Sequence, residues 1–164
     1  MPPLPQSANE AQPKTSVYRC QSVDRHVCRY VGLTPSVQNA DRDLIRQGLV
    51  RSAHDCSEGG LAVNLAESCL GGNLGAKTEI PGPRADIALF NESQSRIVIT
   101  ITPENAAKAE DFLKSKNISH SRLGTVVADQ TLTIQTTGKP YAWPLEKLRT
   151  PFEKTIPSLM SSEK

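Results

Sequence analysis

Twice in this chain a short apolar strand pattern runs into a helical one, and this repeated change of period narrows the available folds most. Residues 96–102 (RIVITIT) set Ile97, Ile99 and Ile101 against Val98 and Thr100, the two-residue alternation of a strand. A helix start follows at once. Thr102 suits a cap, Pro103 a first turn where a missing N–H costs nothing, and Glu104 the positive end of the helix dipole. Ala106, Ala109, Phe112 and Leu113 then form a buried stripe. Upstream, residues 49–55 (LVRSAHD) read as a strand, Gly59 and Gly60 follow, and LAVNLAESCL comes next. There Leu61, Leu65 and Cys69 are spaced by four, as are Ala62, Ala66 and Leu70, which makes one broad apolar helix face that Gly71 and Gly72 end.

The remaining signals fill in around these two units. Val37, Ala40, Leu44 and Ile45 recur at helical spacing ahead of Gly48. Residues 71–84, with two prolines and four glycines, read as a loop or bent hairpin. Residues 85–90 (ADIALF) read as a buried strand. Residues 118–128 and 131–136 (TLTIQT) read as two more strands joined through Ala128, Asp129 and Gln130. A final helix starting near Pro144 carries Leu145, Leu148 and Phe152, and Pro151 and Pro157 kink or break it. Strand pairs interleaved with helices imply an α+β fold, a mixed β-sheet flanked by helices.

A chain of 164 residues is long enough for one domain with a real core and too short for two ordinary ones. Hydrophobic residues at 37% against 22% charged suit a globular fold, and aromatics at 4% leave the core to aliphatic side chains. Residues 1–14 combine Pro, Gln, Asn and Ser with almost no apolar side chains, too little to offset their ordering entropy. The expected division is a flexible or poorly defined segment over 1–36, a folded domain over 37–160 and a tail over 161–164. The region from 15 to 36 fits a short strand or helix with no sustained period.

A formal charge of +2 gives no basic stripe, so nucleic acid is not an expected partner. No apolar run approaches the length that spans a bilayer, and the first thirty residues lack an apolar signal core. The expectation is a cytoplasmic protein with no membrane partner. Cys20, Cys28, Cys56 and Cys69 then read as free thiols. Cys20, His26 and Cys28 lie close together and are zinc-ligand types, but there is no C-x-x-C pair and the spacing fits no common module, so no metal site is expected.

Two polar clusters carry what chemistry the sequence offers. Residues 51–60 (RSAHDCSEGG) lie where a strand hands over to a helix, where free backbone N–H groups favour a phosphate or carboxylate. The same residues also read as plain caps, with Asp55 or Ser57 capping the helix and Glu58 closing a capping box on Asp55. His54 and Cys56 are no nucleophile and base, because i, i+2 neighbours need not touch. Residues 91–96 (NESQSR) lie between two apolar runs. They read as an ordinary turn or as donors and acceptors for a polar ligand.

Taken together the clusters are more specific. AHDCSEGGLAVNLAES, followed about twenty residues later by LFNESQSRIVI, resembles the C-terminal half of the phosphoribosylformylglycinamidine synthase large subunit. That enzyme's superfamily includes aminoimidazole ribonucleotide synthetase, selenophosphate synthetase and thiamine-monophosphate kinase. IRQGLVRSAHDCSEGGLAV, RLGTVVADQTLTI and PLEKLRTPFEKTIPSLM extend the resemblance, in the family's order, over 37–160.

The resemblance implies the second of two B domains in an A1-B1-A2-B2 chain, an aminoimidazole ribonucleotide synthetase C-terminal-like fold. The implied reaction is ATP-dependent amidine formation in purine biosynthesis, with ammonia supplied by a separate glutaminase subunit. His54, Asp55, Ser57, Gly59 and Gly60 match the family's HD-x-S-x-GG element, and Glu92, Ser93, Gln94 and Arg96 its ESQSR element. Both border the ligand cleft between A and B. Position 91, commonly Gly in the synthases, is Asn here, a residue that tolerates positive φ. The metal carboxylates and the catalytic histidine belong to A domains, which 36 residues cannot hold. No catalytic residue is therefore expected here, and ATP and magnesium enter only through the family. The expected partners are the remaining synthase domains or subunits, or a second copy of the chain. The alternatives are a stand-alone module binding a nucleotide or phosphorylated ligand, weakly and at residues 57–60, or an association domain.

Overall fold

The computed structural model describes residues 16–21 and 34–161. The expected flexible segment 1–14 and most of the 161–164 tail lie outside the described residues. In chain order the elements are β1 (Ser16–Gln21), α1 (Thr34–Arg46), β2 (Ser52–Asp55), α2 (Gly60–Gly72), β3 (Gly75–Ile80), α3 (Ala85–Phe90), β4 (Arg96–Ile101), α4 (Pro103–Ser115), β5 (Ser119–Val127), β6 (Thr131–Thr136), β7 (Pro140–Pro144) and α5 (Leu145–Arg149). A π-helical turn (Thr150–Lys154) then leads into α6 (Thr155–Ser161).

One seven-stranded sheet runs in the order β2-β4-β1-β5-β3-β6-β7. Every neighbouring pair is antiparallel except β3 and β6, which makes the sheet mixed as expected. Residues 16–21 thus supply a central strand, with Val17 buried, and α1 begins at Thr34. The folded body starts earlier than position 37. Between Val17 and Tyr18 the register with β5 slips, and buried Leu123 is the residue accommodated there.

The alternation in β4 sorts the core into two layers. Ile97, Ile99 and Ile101 pack with Val37, Ala40 and Leu44 of α1 and with Ala109 and Leu113 of α4. Val98 faces the other way and joins Leu61, Leu65 and Leu70 of α2, Leu89 of α3 and Leu145 of α5. A strand buried on both faces by aliphatic residues is the centre of a helix–sheet–helix sandwich.

Several local expectations are corrected. Residues 85–90 are helical, not a buried strand: only Leu89 is buried, and Ile87 and Phe90 stay about half exposed. A six-residue apolar run does not declare its period. Part of the expected 71–84 loop is β3, whose inward residues are Ala76, Thr78 and Ile80. Gly71 and Gly72 remain inside α2, which ends instead at Asn73 in the left-handed region (φ 50), its N–H meeting the Cys69 and Leu70 carbonyls. β5 and β6 are neighbours in sequence but not in space, since β3 lies between them. β7, with a proline at each end, was not foreseen and closes one edge of the sheet. Thr102 holds the cap position of α4 without a side-chain capping bond. Among the described residues no helix is long and apolar enough to cross a membrane.

Candidate functional site

β2 is the other edge strand, and its last residues, His54 and Asp55, lead into a turn that enters α2 at Gly60. Gly59 and Gly60 sit at φ 74 and 68, a region side chains rarely adopt. At Gly60 a second constraint applies. A Cβ there would lie 2.7–2.9 Å from backbone atoms of Leu89 and Phe90, so the end of α3 runs directly against this glycine. The expected ligand access at Gly60 is filled by the chain's own backbone.

The two sequence motifs meet here. Gly59 N–H donates to Glu92 Oε1 at 2.8 Å, and Cys56 N–H donates to the Arg96 carbonyl at 2.8 Å. Glu92 thus brings its own carboxylate to the positive end of α2 from thirty-three residues away, the reciprocal half of a capping box supplied by a distant loop. The expected local caps, Asp55 or Ser57 with Glu58, are not used: Gly59 is the cap residue, with no side-chain cap bond.

Within the second motif, Asn91 does not need a positive φ. Its backbone is extended at φ −68, and Ser95 takes the left-handed position at φ 60. Asn91 acts through its side chain, whose Oδ1 accepts the Ser93 N–H at 2.7 Å and the Ser93 hydroxyl. Arg96 is buried and donates from its guanidinium to the Asn91 carbonyl at 2.5 Å, closing the base of the loop. The nine expected residues therefore separate into two groups. His54, Gly59, Gly60 and Arg96 hold the turn together, while Asp55, Ser57, Glu92, Ser93 and Gln94 are exposed.

Two residues that no sequence motif singles out complete the arrangement. Asn64, nearly fully buried, donates from Nδ2 to the His54 carbonyl at 3.0 Å and the Asp55 carbonyl at 2.7 Å. Glu67, one turn further along α2, places Oε2 2.9 Å from His54 Nε2. His54 Nδ1 lies 3.0 Å from the Asp55 carbonyl oxygen. The available signal was two polar residues three apart on a helix whose neighbours are Leu61, Leu65 and Leu70.

Comparison with known proteins places this geometry in a family. A profile described as "AIR synthase related protein, C-terminal domain" matches residues 29–137. The chain belongs to this family. Phosphoribosylformylglycinamidine synthase subunit PurL of Moorella thermoacetica is 39% identical to this AIR synthase-related domain over 128 residues, covering 77% of this chain and 17% of that one. PurL of Prochlorococcus marinus (strain MIT 9303) is 41% identical over 133 residues, 76% and 17%. PurL of Alkaliphilus metalliredigens is 50% identical over 88 residues, 53% and 12%. This domain thus spans about one sixth or less of the curated relatives it matches. Among solved structures, T. maritima PurL complexed with ATP aligns with a TM-score of 0.67 at 19% identity, over 83% of this chain and 25% of that one. A chain of the HypE–HypF complex aligns at 0.59 and 15% identity, over 82% and 53%. At those identities the likeness shows the shared fold.

Proposed function

We propose that this domain is the C-terminal domain of a phosphoribosylformylglycinamidine synthase large subunit. It would serve purine biosynthesis as one wall of a ligand cleft that other domains or subunits of the synthase complete. Asp55, Ser57, Glu92, Ser93 and Gln94 present carboxylate, hydroxyl and amide groups to that cleft, and His54, Gly59, Gly60 and Arg96 hold them in place. The observation that carries this reading is the Gly59–Glu92 hydrogen bond, which joins the HD-x-S-x-GG and ESQSR elements into one rim.

ATP and magnesium would belong to the assembled enzyme. The residues present here do not by themselves fit a magnesium-bound triphosphate. The Gly59 donor at the start of α2 already meets a carboxylate, and Asp55, Glu58 and Glu92 around it repel an anion. Among the described residues, no three His, Cys, Asp or Glu side chains gather to hold a cation. The same facts weigh against a stand-alone phosphate-binding module, since the Gly59 N–H is already taken and the carboxylates around it repel an anion.

The test is complementation in trans. A strain whose synthase large subunit lacks its C-terminal domain receives this chain on a plasmid. Purine-independent growth is expected, with loss of growth for Asp55→Ala. Failure to grow, with both pieces expressed and soluble, sinks the reading.

A further inference from the structure

A buried asparagine in an aliphatic helix face costs free energy unless its amide is used. Asn64 stands among Leu61, Leu65 and Leu70, only 2% exposed, and its Oδ1 finds no partner among the described residues. What the position gains is the other end of the amide. Two carbonyl oxygens, of His54 and Asp55, point at Nδ2 from 3.0 and 2.7 Å. Both are acceptors, so only the NH₂ end can meet them, which fixes the orientation of the amide. Glu67 repeats the device three residues later, its carboxylate 2.9 Å from the His54 ring. The other ring nitrogen faces the Asp55 carbonyl oxygen at 3.0 Å. One face of α2 therefore grips a single dipeptide by two backbone oxygens and one side chain. Asp55, the second residue of that dipeptide, keeps its carboxylate 70% exposed.

We infer that Asn64 and Glu67 are positioning residues. They lock the His54–Asp55 peptide planes to α2, so that the Asp55 carboxylate leaves the end of β2 in one fixed direction toward the rim. The inference rests on the reading of that rim as a ligand wall. Around bound metals, residues behind the contacting ones set the geometry and their loss typically costs about 10–100-fold, and a loss at the lower end of that range is expected here, with no contacting group removed.

Two measurements separate this inference from the function it rests on. The first uses the isolated chain and no ligand. Ring and amide NMR should show a slowly exchanging His54 Nε2 proton that Glu67→Ala loses and Glu67→Gln, which keeps an acceptor oxygen, retains. Asn64→Ala should move the amides of Asp55 and Cys56 while those of α4, across the sheet, stay in place. Glu67→Ala and Glu67→Gln serve as the deciding pair where Asn64→Ala does not fold. A His54 ring proton that is equally protected in Glu67→Ala and the parent overturns the inference. The second measurement uses the synthase reconstituted in trans. Glu67→Ala should raise KM for ATP or formylglycinamide ribonucleotide about 10-fold with kcat within about 2-fold, and Glu67→Gln should restore most of it. Equal kinetics in Glu67→Ala and the parent also overturn the inference. If reconstitution yields no activity, the functional reading fails, and the NMR comparison decides the positioning geometry by itself.

Discussion

Gly60 shows how one residue can look functional for a structural reason. Its positive φ and its contact with the backbone of Leu89 and Phe90 both exclude a side chain. Gly60→Val should destabilise the domain by about 2 kcal/mol or more, measured by urea unfolding, whether or not any ligand is bound. Glu92 is the complementary case. It occupies the anion position at the start of α2, so inorganic phosphate at about 10 mM should leave the amides of residues 57–60 unmoved in the parent. In Glu92→Ala the Gly59 N–H is freed, and the same titration should shift them. Cys69 makes a third case. Burial pushes its thiol from 9.0 up to about 11. As pH rises past 9 the unfolded chain sheds this proton before the folded chain does, so the folded state binds more protons and stability falls between pH 9 and 11. Below pH 9 both states hold the proton and the effect vanishes. The stability difference between the parent and Cys69→Ala should therefore shrink from pH 8 to pH 10 in paired unfolding curves. At this scale the motif residues were legible because their types and spacing are unusual. Asn64 and Glu67 were not, because a helix face read for its leucines hides the two polar residues that face a strand end.

Elements were legible where a period had room to develop. β4 could be read from five alternating positions and α4 from a four-residue stripe with a marked start, and the interleaved strands and helices already implied the mixed sheet. β3 was missed because GAKTEI carries only Ala76 and Ile80 as apolar inward residues, and its burial comes from sheet neighbours far away in sequence. α3 was misread because six residues fit either period, and what settles it is the approach to α2 at Gly60, which no local pattern contains. The C-terminal elements divide more sharply. Leu145 is buried, and Arg149 ties α5 to the end of α2 by donating to Asn73 Oδ1 at 3.1 Å and the Leu70 carbonyl at 3.4 Å. The π-helical turn at Pro151 lets the chain continue helically past a residue that cannot donate, but α6 buries none of its side chains. Ile156→Ser with Leu159→Ser should thus leave the unfolding midpoint nearly unchanged, within about 0.5 kcal/mol per site. Leu65→Ala, in the α2 core, should cost about 2–5 kcal/mol. Comparable losses in the two variants would mean that α6 packs on the domain in solution.

At the scale of the whole molecule, the sheet is the device that brings the site together. β2 and β4 are antiparallel neighbours, so the end of one and the start of the other meet at the same edge, with Asp55 opposite Ile97. The helix after β2 and the loop before β4 are thereby forced into contact, and the Gly59–Glu92 bond closes the junction. What forms is a set of exposed carboxylate, hydroxyl and amide groups in which the Gly59 N–H at the helix start is already met by Glu92. Phosphoryl transfer asks for the opposite arrangement, with donors and cations gathered about the phosphates and the nucleophile aligned by residues on more than one side. The 164-residue polypeptide alone should therefore show no ATP turnover with formylglycinamide ribonucleotide, ammonia and magnesium present, in an assay able to see a rate well below about 1 s⁻¹. Mixing it with the complementary synthase fragment should restore turnover, and Asp55→Ala should reduce turnover in the mixture without preventing the two pieces from co-eluting. Hydrolysis by the polypeptide alone, retained after removal of trace ATPases and lost in Asp55→Ala, would show that this rim does chemistry unaided and would overturn the cleft-wall reading.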